Sequence, residues 1–285
     1  MNKLIISDRY DLADYCSKKG IAIEEFNEPV EISKNAYCIR LFEGCETFNQ
    51  PVEIPEGITD CSGMFEGCKS FNQPIILPSK VENCSSTFEG CKSFNQAIVI
   101  PGSVENCLRM FEGCISLDNE VIISKGGDHR DCFRMFAYCI SFNRSVQIPC
   151  GVTDCKEMFM GCESFDKHII LPNSVTTTAR MFKDCTRFNQ EIKLSKYITN
   201  MSEMFAGCIS FNKPVSFYII HKKECKTSMR MDGKDLHKQC TCTKPVVYDN
   251  ILTGCTSFNE RVLIKGLEDI SEVIGNKNAK IVFKS

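Results

Sequence analysis

The chain of 285 residues has no tryptophan, only four histidines and no strong charge of either sign. Its 34 lysines and arginines face 36 aspartates and glutamates, for a formal charge of -2. No field of one sign draws it to nucleic acid, and no basic run is interleaved with aromatic residues, so no nucleic-acid partner is expected. No stretch approaches the roughly 18 apolar residues of a membrane-spanning helix, so membrane insertion is not expected either. The first residues, MNKLIISDRYDLADY, carry an apolar run of three before Ser7 and Asp8, which does not read as a signal peptide. Catalytic signatures are also missing: there is no nucleophile elbow, no P-loop and no Rossmann glycine pattern. His129 and His168 have no Cys or Ser at a motif spacing. These absences predict a soluble, cytoplasmic, non-enzymatic protein without a cofactor.

What the chain has instead is 20 cysteines and 20 phenylalanines, most of them in phase with a repeat. The stretch Met64 to Cys91, MFEGCKSFNQPIILPSKVENCSSTFEGC, begins and ends on the same phrase. Aligning the Phe-Asn steps at Phe26, Phe48, Phe71, Phe94, Leu117, Phe142, Phe165, Phe188, Phe211 and Phe258 gives intervals of mostly 23 residues. A fixed period of this length is the signature of a solenoid, in which each unit is one coil stacked on the next.

Two periodicities follow one another within a unit. Pro74-Ile75-Ile76-Leu77-Pro78 is strand-like, with apolar residues at i and i+2 and a proline to stop it. Cys61, Met64, Phe65 and Cys68 then fall at i, i+3, i+4 and i+7, which predicts a short helical or 3-10 segment ended by Gly67. Asp60, Asn83, Asn106, Asp131 and Asp154 stand where N-caps are expected. The predicted fold class is a leucine-rich-repeat-like solenoid with one short parallel strand and one short helical segment per coil. Strands stacked about 4.8 Å apart predict a rod about 45–50 Å long for ten coils.

Residues 1–25 do not fit the repeat and read as an N-terminal cap, with a strand at Leu4-Ile5-Ile6 and a helix around Asp11–Cys16 ended by Gly20. Residues 26–264 are the solenoid. Residues 265–285 read as a C-terminal cap, helical over 267–274 and strand-like at Lys280–Phe283. The last interval is 47, so one coil carries an insertion near residues 226–247, where Asp232-Gly233 predicts a projecting hairpin.

The phrase Met-Phe-x-Gly-Cys-x-Ser-Phe-Asn-Gln, followed by Leu/Ile-Pro and Val-x-Asn, resembles the BspA-type leucine-rich repeats. Ile198-Thr199-Asn200-Met201-Ser202-Glu203-Met204-Phe205 is similar to the Val-Thr-Asn-Met-x-x-Met-Phe step of one branch. The resemblance covers about residues 26 to 264 and departs from the family in its cysteines. It implies a solenoid acting through binding or adhesion, as in bacterial surface proteins, some protozoa and viruses of microbes. Beside the cytoplasmic expectation it therefore sets a second one, an adhesin or receptor-binding component of a cell surface or virion. It carries no catalytic residue.

Four constellations have two readings each. The cysteines that open the second segment (Cys61, Cys84, Cys107, Cys132, Cys155) and those that close it (Cys45, Cys68, Cys91, Cys114 and onward) are either small apolar fillers or cross-links between coils. Thr178 and Met201 in the first series favour filling. The asparagines from Asn49 to Asn259 are either a polar binding stripe or amides that satisfy the backbone of the next coil. Cys225, His237, Cys240 and Cys242 in the insertion are candidate zinc ligands, which would make the hairpin a zinc-binding regulatory module, or incidental residues of a hairpin. The middle strand position must point out of the core. From Glu31 and Glu53 it runs through Ile76, Val99, Ile122, Gln147 and Ile170 to Lys193, Ser216 and Leu263. An exposed apolar strip marks a protein-interaction or self-association surface, against the alternative that β-branched residues simply favour strands. Ile76, Val99, Ile122, Gln147, Ile170 and Lys193 are the candidate partner-binding residues.

Overall fold

A computed structural model describes residues 3–126, 131–218, 230–231, 234–235, 250–257, 261–265 and 280–284. Each coil is bonded to the next at matching repeat positions, with a sequence offset of 22 in most coils and 24 across the longer one from Cys107 to Asp131. The N–H groups of Cys61, Gly63, Phe65 and Gly67 donate to the carbonyls of Asn83, Ser85, Thr87 and Glu89 at 2.7–2.9 Å. The same bonds recur from Arg40 to Ser62, Ser86 to Leu108 and Arg180 to Ser202. The architecture is therefore a repeat solenoid.

The segment that carries this ladder is not the predicted helix. The N–H groups of Met64, Glu66 and Cys68 bond back to the carbonyls of Cys61, Gly63 and Phe65 at 3.0–3.1 Å, which makes three overlapping turns. Gly63 and Gly67 have φ of 60° and 73°, a left-handed conformation that breaks any helix. A helix satisfies its backbone internally. A chain of turns spends alternate N–H groups on its own coil and on the next, so both sets of backbone groups are paired. Cys61, Met64, Phe65 and Cys68 are all buried, so the predicted inward face is present on a different backbone. Asp60 and Asn83 fill their expected role in altered form, accepting from the N–H two residues on, Ser62 at 2.8 Å and Ser85 at 3.0 Å. The left-handed position equivalent to Gly63 is held elsewhere by Arg40, Ser86, Arg109, Arg134, Glu157, Arg180 and Glu203, with φ of 53–57°. Each costs about 1–2 kcal/mol in a non-glycine residue, offset by the bonds that this geometry permits across coils.

Two columns of phenylalanine fill the core. Phe42, Phe65, Phe88, Phe111, Phe136, Phe159, Phe182 and Phe205 stack with centroids 5.4–5.8 Å apart. Phe26, Phe48, Phe71 and Phe94 form a second column at 5.8–6.3 Å, resumed from Phe142 to Phe211. Within a coil the columns touch, as in Phe65–Phe71 at 4.3 Å. The wider second column shows that coils are closest where the turn ladder joins them.

The expected continuous parallel sheet is present only locally. β1 (Leu4–Ile6) pairs with β2 (Val30–Ile32), and β3 (Ile98–Ile100) with β4 (Val121–Ile123). Further along, β5 (Val215–Tyr218), β8 (Arg261–Lys265) and β9 (Lys280–Lys284) make a three-stranded parallel sheet. β6 (Arg230–Met231) and β7 (Lys234–Asp235) pair antiparallel, and the expected Asp232-Gly233 turn lies outside the described residues. Residues 75–77 keep the buried–exposed–buried alternation without bonding to 98–100. Pro74 and Pro78 remove donors on both sides of that segment.

At the N-terminal end α1 (Arg9–Lys19) starts on Asp8, whose side chain accepts from Tyr10 and Asp11, and stops on Gly20 with φ 67°. It is longer than the predicted helix and buries Leu12 and Cys16. Its Arg9 donates to the Glu43 carbonyl at 2.6 Å. That carbonyl corresponds to Glu66 O, which accepts from Gly44 of the preceding coil, so the arginine replaces a coil that is not there. At the other end Phe205 and Gly207 donate to Ile251 and Thr253. The offset is 46 in place of 22, so the ladder passes over the inserted residues unbroken. The helix expected over 267–274 lies outside the described residues.

Phe88 touches rings on both sides and in its own coil. Phe88→Ala should cost about 3–5 kcal/mol, whereas Ile76→Ala, at 86% exposure, should stay within about 0.5 kcal/mol. Urea unfolding of both variants checks this, and similar midpoints would contradict the stacking account.

Candidate interaction surface

The strand segment alternates by geometry, so its middle residue must leave the core. Ile75 and Leu77 are buried while Ile76 is 86% exposed; Val99, Ile122 and Ile170 are 54%, 45% and 73% exposed. Gln147 and Lys193 are exposed in the same row, as are Glu31 and Glu53 nearer the N-terminus. Val99 and Ile122 are register partners across β3 and β4. The structure thus brings the predicted row onto one face, and the side chains of Ser216 and Leu263 lie outside the described residues. A groove of about 650 Å³ lies on it, lined by Ile76, Val99 and Ile122 together with Glu56 and Glu120.

The turn side has the opposite character. Long charged side chains project from the left-handed positions and pair along the rod. Arg134 meets Glu112 at 2.7 Å and Glu157 at 3.7 Å. Arg180 meets Glu157 at 3.5 Å and Glu203 at 2.8 Å, and Lys183 meets Glu203 at 2.6 Å. Hydrogen bonds from Arg180 and Lys183 bring the Glu203 carboxyl down to about 2. Desolvation, then the neighbouring Glu89 and Glu43, raise that of Glu66. Sequence reading missed this ladder, because arginine and glutamate at a left-handed position break the usual residue preference.

The asparagine series is structural. Asn27, Asn49 and Asn72 each accept through Oδ1 from the N–H of the asparagine one coil on, at 2.9 Å. Asp118 and Asp166 do the same for Asn143 and Asn189. These residues are half-buried or exposed, not buried as a core amide would be.

The cysteines are packing residues with a polar handle. The closing series donates Sγ–H to a phenylalanine carbonyl of the preceding coil, as Cys68 to Phe42, Cys91 to Phe65 and Cys114 to Phe88, each at 3.0 Å. All described cysteines are free, and all but Cys150 are buried. Burial pushes the thiol of Cys38 up to about 11 and those of Cys45 and Cys255 to about 12. Buried thiols of this kind are poor nucleophiles and poor metal ligands, since both roles need the thiolate. Among the described residues no group of three or more His, Cys, Asp or Glu side chains is placed to hold a metal. The candidates Cys225, His237, Cys240 and Cys242 lie outside the described residues. No helix among the described residues is long and apolar enough to cross a membrane.

A family model described as "Mycoplasma protein of unknown function, DUF285" matches residues 36–149, 78–169 and 149–243. Its description does not single out the BspA-type branch. No curated protein matches the chain. Among solved structures it is similar to a leucine rich cell surface protein from Faecalibacterium prausnitzii A2-165. That likeness is at 15% identity over 97% of this chain and 82% of the other, with a TM-score of 0.43. It is also similar to a leucine-rich repeat protein from Bacteroides ovatus ATCC 8483, at 15% identity over 90% and 81%, with a TM-score of 0.35.

A thiol reagent applied to the native protein should label Cys150 and spare the buried cysteines until denaturant is added. Peptide mapping checks this, and early labelling at Cys91 or Cys114 would contradict the packing. The depressed carboxyl of Glu203 contributes stability above the ordinary glutamate value of about 4.3 and loses it as pH falls toward its folded value. Glu203→Gln should therefore lower the unfolding midpoint at neutral pH, with the gap closing toward pH 2. A gap independent of pH would contradict the ion-pair assignment.

Proposed function

The chain belongs to the DUF285 family, described as Mycoplasma proteins of unknown function, and for this member we propose a non-enzymatic protein-interaction scaffold. The observation that carries the reading is the exposure of Ile76, Val99, Ile122 and Ile170 on one face, where Ile76 and Ile170 stand well above the 38–49% of Ile115, Ile140 and Ile209 elsewhere on the solenoid. Full burial of an isoleucine or valine contributes about 1.5–3 kcal/mol, of which these partly exposed side chains forgo a share that a partner on that face recovers in part. Gln147 and Lys193 extend the same row and supply polar contacts at one end. Buried, protonated thiols fit a reducing compartment, and the proposed location is cytoplasmic.

A second reading, an adhesin or receptor-binding component of a cell surface or virion, is supported by the BspA-like step at Ile198–Phe205. Protease treatment of intact cells or particles separates the two, because only the surface protein is cut.

Val99→Asp is placed where it disturbs the face and not the core. Affinity capture with wild type and variant side by side should show proteins retained by the first and lost by the second, with unfolding midpoints within about 0.5 kcal/mol of each other. Identical captured sets together with an unchanged hydrodynamic radius would contradict the proposal.

A further inference from the structure

The charges beside the apolar row are largely sorted by end, with Lys34 and Glu191 as the exceptions. Glu28, Glu53 and Glu56 lie toward the N-terminal coils, and Lys193, Lys196 and Lys213 toward the C-terminal ones. Among the described residues none of these six takes part in an ion pair, while the turn side neutralises its charges within the chain. Nearer the centre Arg144, at the repeat position of Glu28 and Lys213, is already paired with Asp118 at 3.1 Å. End charges that are unpaired within the chain, and opposite in sign, complement each other when one copy is turned end for end.

We infer that the apolar row is the interface of an antiparallel two-fold dimer of this chain, with Ile122 at the dyad. The inference rests on the contact surface proposed above and names its occupant as a second copy. Counting coils outward from Ile122 in both directions gives the pairing. One coil out, Val99 faces Gln147; two coils out, Ile76 faces Ile170. Three coils out, Glu53 faces Lys193 and Glu56 faces Lys196. Four coils out, Glu28 faces Lys213. A two-fold axis lying in the contact plane and across the rods keeps each row opposite itself, so all three charge pairs form at once and each forms twice. Glu120 and Lys125, which flank Ile122, meet their own copies near the dyad and mark the cost of this register. The opposite orientation, with rods parallel, stacks Glu53 on Glu53 and Lys193 on Lys193 and is repelled at both ends. The apolar centre supplies the contact, and the charges choose its direction.

Sedimentation analysis of the full chain tests this. Wild type should be dimeric, Ile122→Asp monomeric, and the dimer should weaken as salt rises. Glu53→Lys and Lys193→Glu should each weaken self-association about tenfold, since every reversal acts twice. The double variant should restore it. A dimer lost with Ile122→Asp, but in which the two charge reversals combined bind no better than either alone, would overturn the antiparallel arrangement. A wild type monomeric at its highest soluble concentration would overturn the self-partner; if Ile122→Asp then still abolished capture of another protein, the contact surface itself would stand. A dimer indifferent to Ile122→Asp would overturn this interface, and the contact surface would fall with it only if capture of other proteins were unchanged as well.

Discussion

The ladder of backbone hydrogen bonds along the turn segments sets the terms for the rest of the molecule. It consumes the N–H groups of alternate residues on one side of every coil and fixes the spacing at which coils stack. Phenylalanine rings then lie parallel at 5.4–5.8 Å, and the columns they form exclude water from the centre. The left-handed residues are a consequence: only a backbone that reverses every few residues can feed the ladder and its own turns together. Arginine and glutamate at those positions project outward and pair along the rod.

With the coils joined on the turn side, the strand side is relieved of structural work. Among the described residues most strand segments in the middle of the solenoid make no sheet, β3–β4 being the exception there, with β1–β2 and β5–β8–β9 nearer the two ends. The middle residue of each strand is left without a structural duty, so its identity can follow a partner. Its gradation from acidic through apolar to basic has no counterpart in the core-facing positions, which stay apolar apart from Thr87 and Thr178.

The solenoid, its period and its inward residues are legible in the sequence because packing repeats them. The asparagine series is legible for the same reason. The turn chain is not: a run with apolar residues at i, i+3, i+4 and i+7 buries the same side chains whether it is a helix or three linked turns. Spacing carries no sign of φ, and the residues that take positive φ here include arginine and glutamate. Nor does spacing show that Cys68 donates to a carbonyl one coil back, or that Arg9 caps Glu43. The strand row was readable from a period of two, since Ile76 and Ile170 must face away from Ile75 and Ile169. Its charge pattern emerges only when neighbouring rows are laid side by side, coil upon coil.

Amide hydrogen exchange resolved to single residues tests most directly the division of labour between the two sides. The ladder amides of Gly63, Phe65, Gly67, Phe88 and Gly90 should be among the slowest to exchange, while those of Ile75, Ile76 and Leu77 exchange quickly although two of the three side chains are buried. Slow exchange along 75–77 with fast exchange at Phe65 and Phe88 would contradict the account, because it would place the bonds that hold the coils on the strand side.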